Sequence, residues 1–131
     1  MTNDKKIYDL EERTAKFGER IIEFAKKIPK NDITIPLIRQ IIRSGTGIGS
    51  NYCEADCAES RKDFEHKLGL CKKEAKETKH WLRMIAKAVS GLKDEAKDEA
   101  KVLWKESNEL QLIFIAIIKK SRINDIKKTK N

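Results

Sequence analysis

Three glycines at alternate positions, Gly45, Gly47 and Gly49, sit inside an apolar pattern that keeps helical spacing on both sides of them. Glycine at that density ordinarily breaks a helix. Here Leu37, Ile38, Ile41 and Ile42 lead in, and Ile48, Tyr52 and Ala55, with Cys53, Cys57 and Ala58, carry the period through. The reading is a continuous helix over about 35–59 with a flat, small-residue face that lets another backbone approach closely. A kink near Gly47 is the rival. Either way, the chain is built to pack helix on helix.

The flanking segments fit that architecture. Ile7, Leu10, Thr14, Phe17, Ile21, Phe24 and Ile28 form one narrow stripe on a helix over about 5–28, and Pro29 stops it. Pro36 suits a first helical turn, with Thr34 as a candidate cap. Ser60-Arg-Lys-Asp63 resembles a capping box and opens a third helix over about 61–89. Its stripe is Phe64, Leu68, Cys71, Ala75, Thr78, Leu82 and Ile85, widened by Trp81 and Ala88, and Ser90-Gly91 ends it. Asp94 and Glu95 place negative charge at the start of a fourth helix, about 94–121. Its inner face reads as Leu103, Trp104, Leu110, Phe114 and Ile117, yet Leu112, Ile113, Ile115 and Ile118 cover its other sides. A turn apolar all round needs burial all round, which points to an oligomer. Residues 122–131 read as a basic, frayed tail. The expected fold is all-α, an antiparallel up-down-up-down four-helix bundle in one domain over about 1–121.

Composition narrows the class. The chain has 131 residues, a net charge of +8, a pI near 9.4 and 38% charged residues, against roughly 25% in ordinary globular chains. Nucleic acid is the first anionic partner to consider, ahead of a membrane surface. The longest apolar run, Leu110 to Ile118, is half of the roughly 20 residues that span a bilayer. With three cysteines and a polar start after Met1, a reduced, soluble, cytoplasmic protein is expected, with no disulfide framework.

No catalytic constellation emerges. The glycine cluster fails the dinucleotide pattern because Ser50 stands where glycine is needed, and no strand precedes it. Cys53, Cys57, Cys71, His66 and His80 offer zinc-ligand chemistry. The two histidines, however, are fourteen residues apart on one helix, roughly 21 Å, so they cannot converge. Glu77-Thr-Lys-His80 and Asp63-Phe-Glu-His66 echo di-iron elements but lie on the same helix. No metal, cofactor or catalytic residue is expected. Arg43, Asn51 and Glu54 fall near one side of the second helix, with Lys73, Glu74 and Glu77 at matching depth on a neighbour. An internal ion pair fixing helix register outweighs a ligand site there. On the third helix nine cations face four carboxylates. Arg61, Lys62, Lys72, Lys76, Lys79 and Arg83 are the candidates for phosphate contact, with the tail lysines assisting; the rival is a merely solvated face.

The central stretch resembles a known family. Gln40-Ile-Ile-Arg43-Ser44, Gly45-x-Gly47-Ile48-Gly49, Asn51-Tyr52-x-Glu54-Ala55, Ser60-Arg-Lys-Asp63-Phe64 and Lys72-Lys-Glu74-Ala-Lys-Glu77-Thr-x-x-Trp81-Leu82 are similar to the bacterial four helix bundle proteins. These are also known as the 23S rRNA intervening-sequence proteins and are related to accessory proteins of diversity-generating retroelements. The resemblance implies an antiparallel bundle, a ring-like homopentamer with a positive surface, and no established enzymatic activity. It puts Arg43, Asn51, Glu54 and Glu77 on family motif positions, with a structural or a recognition role. Two functions follow: a non-enzymatic basic oligomer that binds RNA or DNA, or a scaffold that docks an acidic protein partner such as a reverse transcriptase.

Overall fold

The structure is a computed structural model that describes residues 9–89 and 91–130, with side chains through Lys128. Ile7 and the start of the first expected helix, Ser90, and the Lys130 side chain lie outside the described residues. Four helices account for nearly everything else: α1 (Leu10–Lys26), α2 (Thr34–Asp56), α3 (Arg61–Ala88) and α4 (Asp94–Lys130). Among the described residues there is no strand, and the fold is an all-α four-helix bundle.

Each helix buries the stripe its spacing marks out. Leu10, Thr14, Phe17, Ile21 and Phe24 are buried from α1, with Ile28 just past its end. Ile38, Ile41, Ile48 and Ala55 come from α2, and Leu68, Cys71, Ala75, Thr78, Leu82 and Ile85 from α3. On α4 the inner face differs from the expected one. Leu103, Ser107, Leu110, Phe114 and Ile118 are buried, whereas Trp104 is 44% exposed and Ile117 only half-buried. The cause is Ser107, whose hydroxyl donates to the Ala75 carbonyl at 2.7 Å. Once that hydrogen bond is made, the serine can occupy a core position that hydrophobicity alone would give to its neighbours.

The glycine-bearing helix is continuous from Thr34 to Asp56. A Cβ built on Gly45 would lie 2.8 Å from both Ile21 γ carbons, and one on Gly49 3.3 Å from Thr14 Oγ1. Gly47 points elsewhere, with Glu74 Oε2 at 3.1 Å from its virtual Cβ. Residues four apart on a helix share a side, and residues two apart point to nearly opposite ones. Alternate glycines therefore serve two neighbours, Gly45 and Gly49 admitting α1 and Gly47 admitting α3.

Helix ends explain the other departures. Asn31, not Thr34, caps α2: its Oδ1 accepts from the N–H groups of Ile33 and Thr34 at 2.9 and 3.0 Å. The Thr34 hydroxyl instead donates to the Pro29 carbonyl. Expected to reach residue 59, α2 stops at Asp56, because Ser60 must be extended (φ −140°, ψ 159°) to accept from Asp63 N–H and start α3. The last turn tightens first, with Cys57 and Ala58 N–H donating to carbonyls three residues back. Gly91, φ 93°, makes the turn into α4 in a conformation that side chains disfavour. The tail expected from residue 122 is helical to Lys130, because no glycine or proline after Gly91 stops α4.

Two glycines on these helices should respond oppositely to alanine. Gly69 has no atom within 4 Å of its virtual Cβ, so Gly69→Ala should raise stability by about 0.5–1 kcal/mol through helix propensity alone. Gly45→Ala meets the branched root of Ile21, which cannot swing away, and should lower stability by about 1–2 kcal/mol despite the same propensity gain. Urea unfolding of the two variants checks this. A Gly45→Ala protein as stable as the parent would show that the α1–α2 approach does not need the glycine.

Candidate nucleic-acid interface

Charge is distributed differently on three of the four seams of the bundle. At the α1–α4 seam, Arg13 makes a two-pronged bond to Glu106, Nη2 to Oε1 at 2.7 Å and Nε to Oε2 at 2.9 Å, and reaches Glu109 at 3.1 Å. The Glu106 hydrogen bond is the main reason its guanidinium pKa is raised, against some desolvation. Arg20 pairs with Glu99 at 3.3 Å one layer along.

At the α2–α3 seam, Arg43 joins two carboxylates. Its Nη2 donates to Glu77 Oε2 at 2.6 Å and its Nη1 to Glu74 at 3.2–3.3 Å, while Nε is held by Gln40 Oε1 at 3.1 Å. Glu74 lies over Gly47 with only 15% of its side chain exposed. Burial is the largest effect on it and raises its pKa, with Arg43 opposing. Of the motif residues singled out in the sequence, Arg43 and Glu77 are thus in direct contact. Glu54 lies 3.7 Å from Lys67 farther along the same seam. Asn51 turns inward on its own helix, donating to the Gly47 carbonyl at 2.9 Å. The arrangement supplies donors and acceptors to each other rather than to solvent.

Below this clamp the α2–α3 seam is closed by small polar groups. Thr78 Oγ1 donates to Ser44 Oγ or the Glu74 carbonyl, at 2.9 and 2.8 Å, and Cys71 Sγ lies 3.6 Å from the Ile48 carbonyl. Burial pushes the Cys71 thiol up to about 12, so it is a core group and not a nucleophile. Cys53 and Cys57 are exposed, and no three metal-ligating side chains gather among the described residues.

The third side is where α3 faces α4, and here cations accumulate without carboxylate partners. Lys72, Lys76, Lys79 and Arg83 follow a 4-3-4 spacing, and Lys62 stands fourteen residues before Lys76, so they share one side of the helix. Arg61 and Lys79 reach across to neutral acceptors, the Ser121 carbonyl at 3.1 Å and Asn108 Oδ1 at 2.9 Å. Lys79 Nζ also stands 5.1 Å from the centre of the Trp104 ring. Among the described residues, Lys62, Lys72, Lys76 and Arg83 are exposed and make no ion pair. From α4 the face gains Lys97, Lys101, Trp104 and Asn108, again at helical spacing. Sequence reasoning had put Trp104 inside; its displacement by Ser107 is what leaves an aromatic ring on this face. Glu65, the carboxylate on the same side of α3, has one oxygen buried without a partner.

Comparison with known proteins places these features. A family model described as 23S rRNA-intervening sequence protein matches residues 6–116. A crystal structure of a protein with unknown function from the S23 ribosomal protein family of Bacteroides thetaiotaomicron superposes with a TM-score of 0.72. It is 31% identical, and the match covers 84% of this chain and 98% of that one. No curated protein matches.

The Arg43 clamp carries its own pH signature. Arg43→Ala should cost only about 1 kcal/mol near neutral pH, because the guanidinium is half exposed and screened. The loss leaves Glu74 buried beside Glu77 with only the weaker effect of Lys73 opposing, so its carboxyl moves further above the ordinary range. A raised carboxyl binds its proton more tightly in the folded state, so stability falls as pH rises from the ordinary carboxylate range through the raised value. The deficit relative to the parent should therefore be larger at about pH 7 than at about pH 4.5, and Glu74→Gln should recover most of it. Urea midpoints at the two pH values decide; equal deficits would mean the clamp does not hold a strained carboxylate.

Proposed function

Since the chain belongs to the 23S rRNA-intervening sequence protein family, we propose that it is a non-enzymatic, oligomeric basic bundle that binds RNA or DNA through its phosphate backbone. The observation that carries this reading is the partition of charge. Arginines on the α1–α4 and α2–α3 seams are neutralised by glutamates, while on the α3–α4 face Lys62, Lys72, Lys76 and Arg83 make no ion pair among the described residues. A stripe of cations on one side of a long helix, next to α4 cations and an exposed tryptophan, suits a polyanion. The amide on that face, Asn108, already has its oxygen engaged by Lys79, and the polar side chains that share the face with it are chiefly cations, so contacts to phosphate dominate and sequence preference is weak.

The finer architecture belongs to the same proposal. Partners across each seam run in opposite order: Arg43 with Glu77 and Glu54 with Lys67, Arg13 with Glu106 and Arg20 with Glu99. This supports an antiparallel up-down-up-down bundle. Leu112, Ile115, Ile123 and Ile126 lie 40–57% exposed along the outer side of α4. Such a stripe is what a second copy would cover, and it supports a homo-oligomer, a pentameric ring in our reading. Among the described residues no helix is long and apolar enough to cross a membrane.

Size exclusion with light scattering, paired with fluorescence anisotropy on a short structured RNA, tests both halves. Expected are a particle of about five chain masses and an affinity that falls at least tenfold between about 50 and 200 mM salt. Lys72→Glu with Lys76→Glu should weaken binding at least tenfold and flatten the salt slope, with helicity unchanged. Binding indifferent to salt, or to both reversals, would overturn the nucleic-acid reading. A specific protein that stays bound after nuclease treatment would move the face to an acidic protein partner.

A further inference from the structure

Where the last turns of α3 meet the first turns of α4, the bundle opens into a groove of about 330 Å3. Its floor is Phe24, Leu82, Ile85, Val89 and Leu92, and the half-exposed Trp104 forms part of the wall. Three charged side chains line it, Arg83, Lys97 and Lys101, and no carboxylate does. Among the described residues none of the three makes an ion pair, although Asp94 and Asp98 lie one turn from Lys97 and Lys101. Paired arginines mark the α1–α4 and α2–α3 seams, so cations without an ion pair among the described residues, around an apolar floor, set this place apart.

The volume falls at the small end of the range for small-molecule sites, about 300–1,000 Å3, and the lining has their usual character, apolar with a few polar groups. A nucleotide base is a poor occupant: its edge donors and acceptors would lose water against a floor that offers no partners. A hydrocarbon tail loses nothing there and removes the floor from water, while an anionic head meets the cations at the rim. A cationic amphiphile would place like charges together. We propose that this groove binds a medium-chain aliphatic carboxylate, its tail on the Phe24–Leu82–Leu92 floor and its carboxylate among Arg83, Lys97 and Lys101. This site shares Arg83, Lys97, Lys101 and Trp104 with the phosphate-binding face, but its apolar floor serves no phosphate, so a test run without nucleic acid separates the two readings.

Calorimetric titration of the full chain with decanoate, below its micelle concentration and without nucleic acid, is the test. Expected is saturable binding of one decanoate per chain, weakened at least tenfold by Lys97→Glu with Lys101→Glu. The same double variant should change binding of 1-decanol less than twofold, which separates head from tail. Ala86→Trp, at an exposed position on the groove edge, should abolish binding of both without loss of helicity. Decyltrimethylammonium binding as tightly as decanoate would overturn the proposal, as would decanoate binding that survives Ala86→Trp. Failure of decanoate to bind, with Ala86→Trp lowering the particle mass, would assign the groove to a second copy of the chain instead.

Discussion

The constraint on which the bundle depends is the approach of α1 to α2 at Gly45 and Gly49. There the α2 backbone faces Ile21 and Thr14 at distances that leave no comfortable room for a methyl group. A core thin at that point lets Phe17, Phe24 and Ile28 reach inward beside Ile41 and Ile48, all of them fully buried. The intervening Gly47 is turned toward α3 and leaves space for the Glu74 carboxylate over the helix backbone. One short run of glycines thus sets two helix separations. The cost in helix propensity, about 1 kcal/mol for each glycine relative to alanine, is offset by packing that a bulkier seam could not make.

Electrostatics follow from that geometry. With α2 and α3 close at Gly47, Arg43 can reach both Glu74 and Glu77, and its exposed position keeps the cost of desolvation low. The α1–α4 seam is joined by Arg13 and Arg20 with glutamates of α4. Glu99, Glu106 and Glu109 of α4 are therefore committed to the α1 side, while Lys97 and Lys101 lie on the α3 side. The α3–α4 face thereby gathers Arg61, Lys62, Lys72, Lys76, Lys79, Arg83, Lys97 and Lys101 from the 29 cationic residues of the chain. That concentration, more than the total, is what an anionic partner would meet.

Much of this was legible in the residues, and the misses have specific causes. Every described residue of the α1 stripe is buried, and the Ser60 cap forms as its spacing implies. The Arg43–Glu77 contact was legible too, as charges at matching depth beside a small-residue face. Trp104 was placed on the inner face and Ser107 left out of it because hydrophobicity favours tryptophan over serine, and only the structure supplies the Ala75 carbonyl that makes Ser107 a core residue. Asn31 was passed over as a cap because its reach depends on how the Pro29–Ile33 turn folds back. The Arg13–Glu106 pair joins residues 93 positions apart and has no local signature at all. The groove at Trp104 depends on the same rotation of α4 that Ser107 imposes, so the error in the helix face hid the site.

The length of α4 ties these observations together. At 37 residues it is about 55 Å long, while α3 begins opposite Ser121, where Arg61 meets its carbonyl. Beyond that point the helix runs on to Lys130 and presents Ile123 and Ile126, 44% and 56% exposed, in line with Leu112 and Ile115. Copies that bury this stripe against one another also bring their +8 charges together, so apolar burial and charge repulsion oppose each other in assembly. Salt relieves the repulsion between copies but weakens each phosphate contact. A polyanion lying across neighbouring copies relieves the same repulsion without that penalty. For an oligomer of this kind, assembly and nucleic-acid binding are then thermodynamically linked, each strengthening the other.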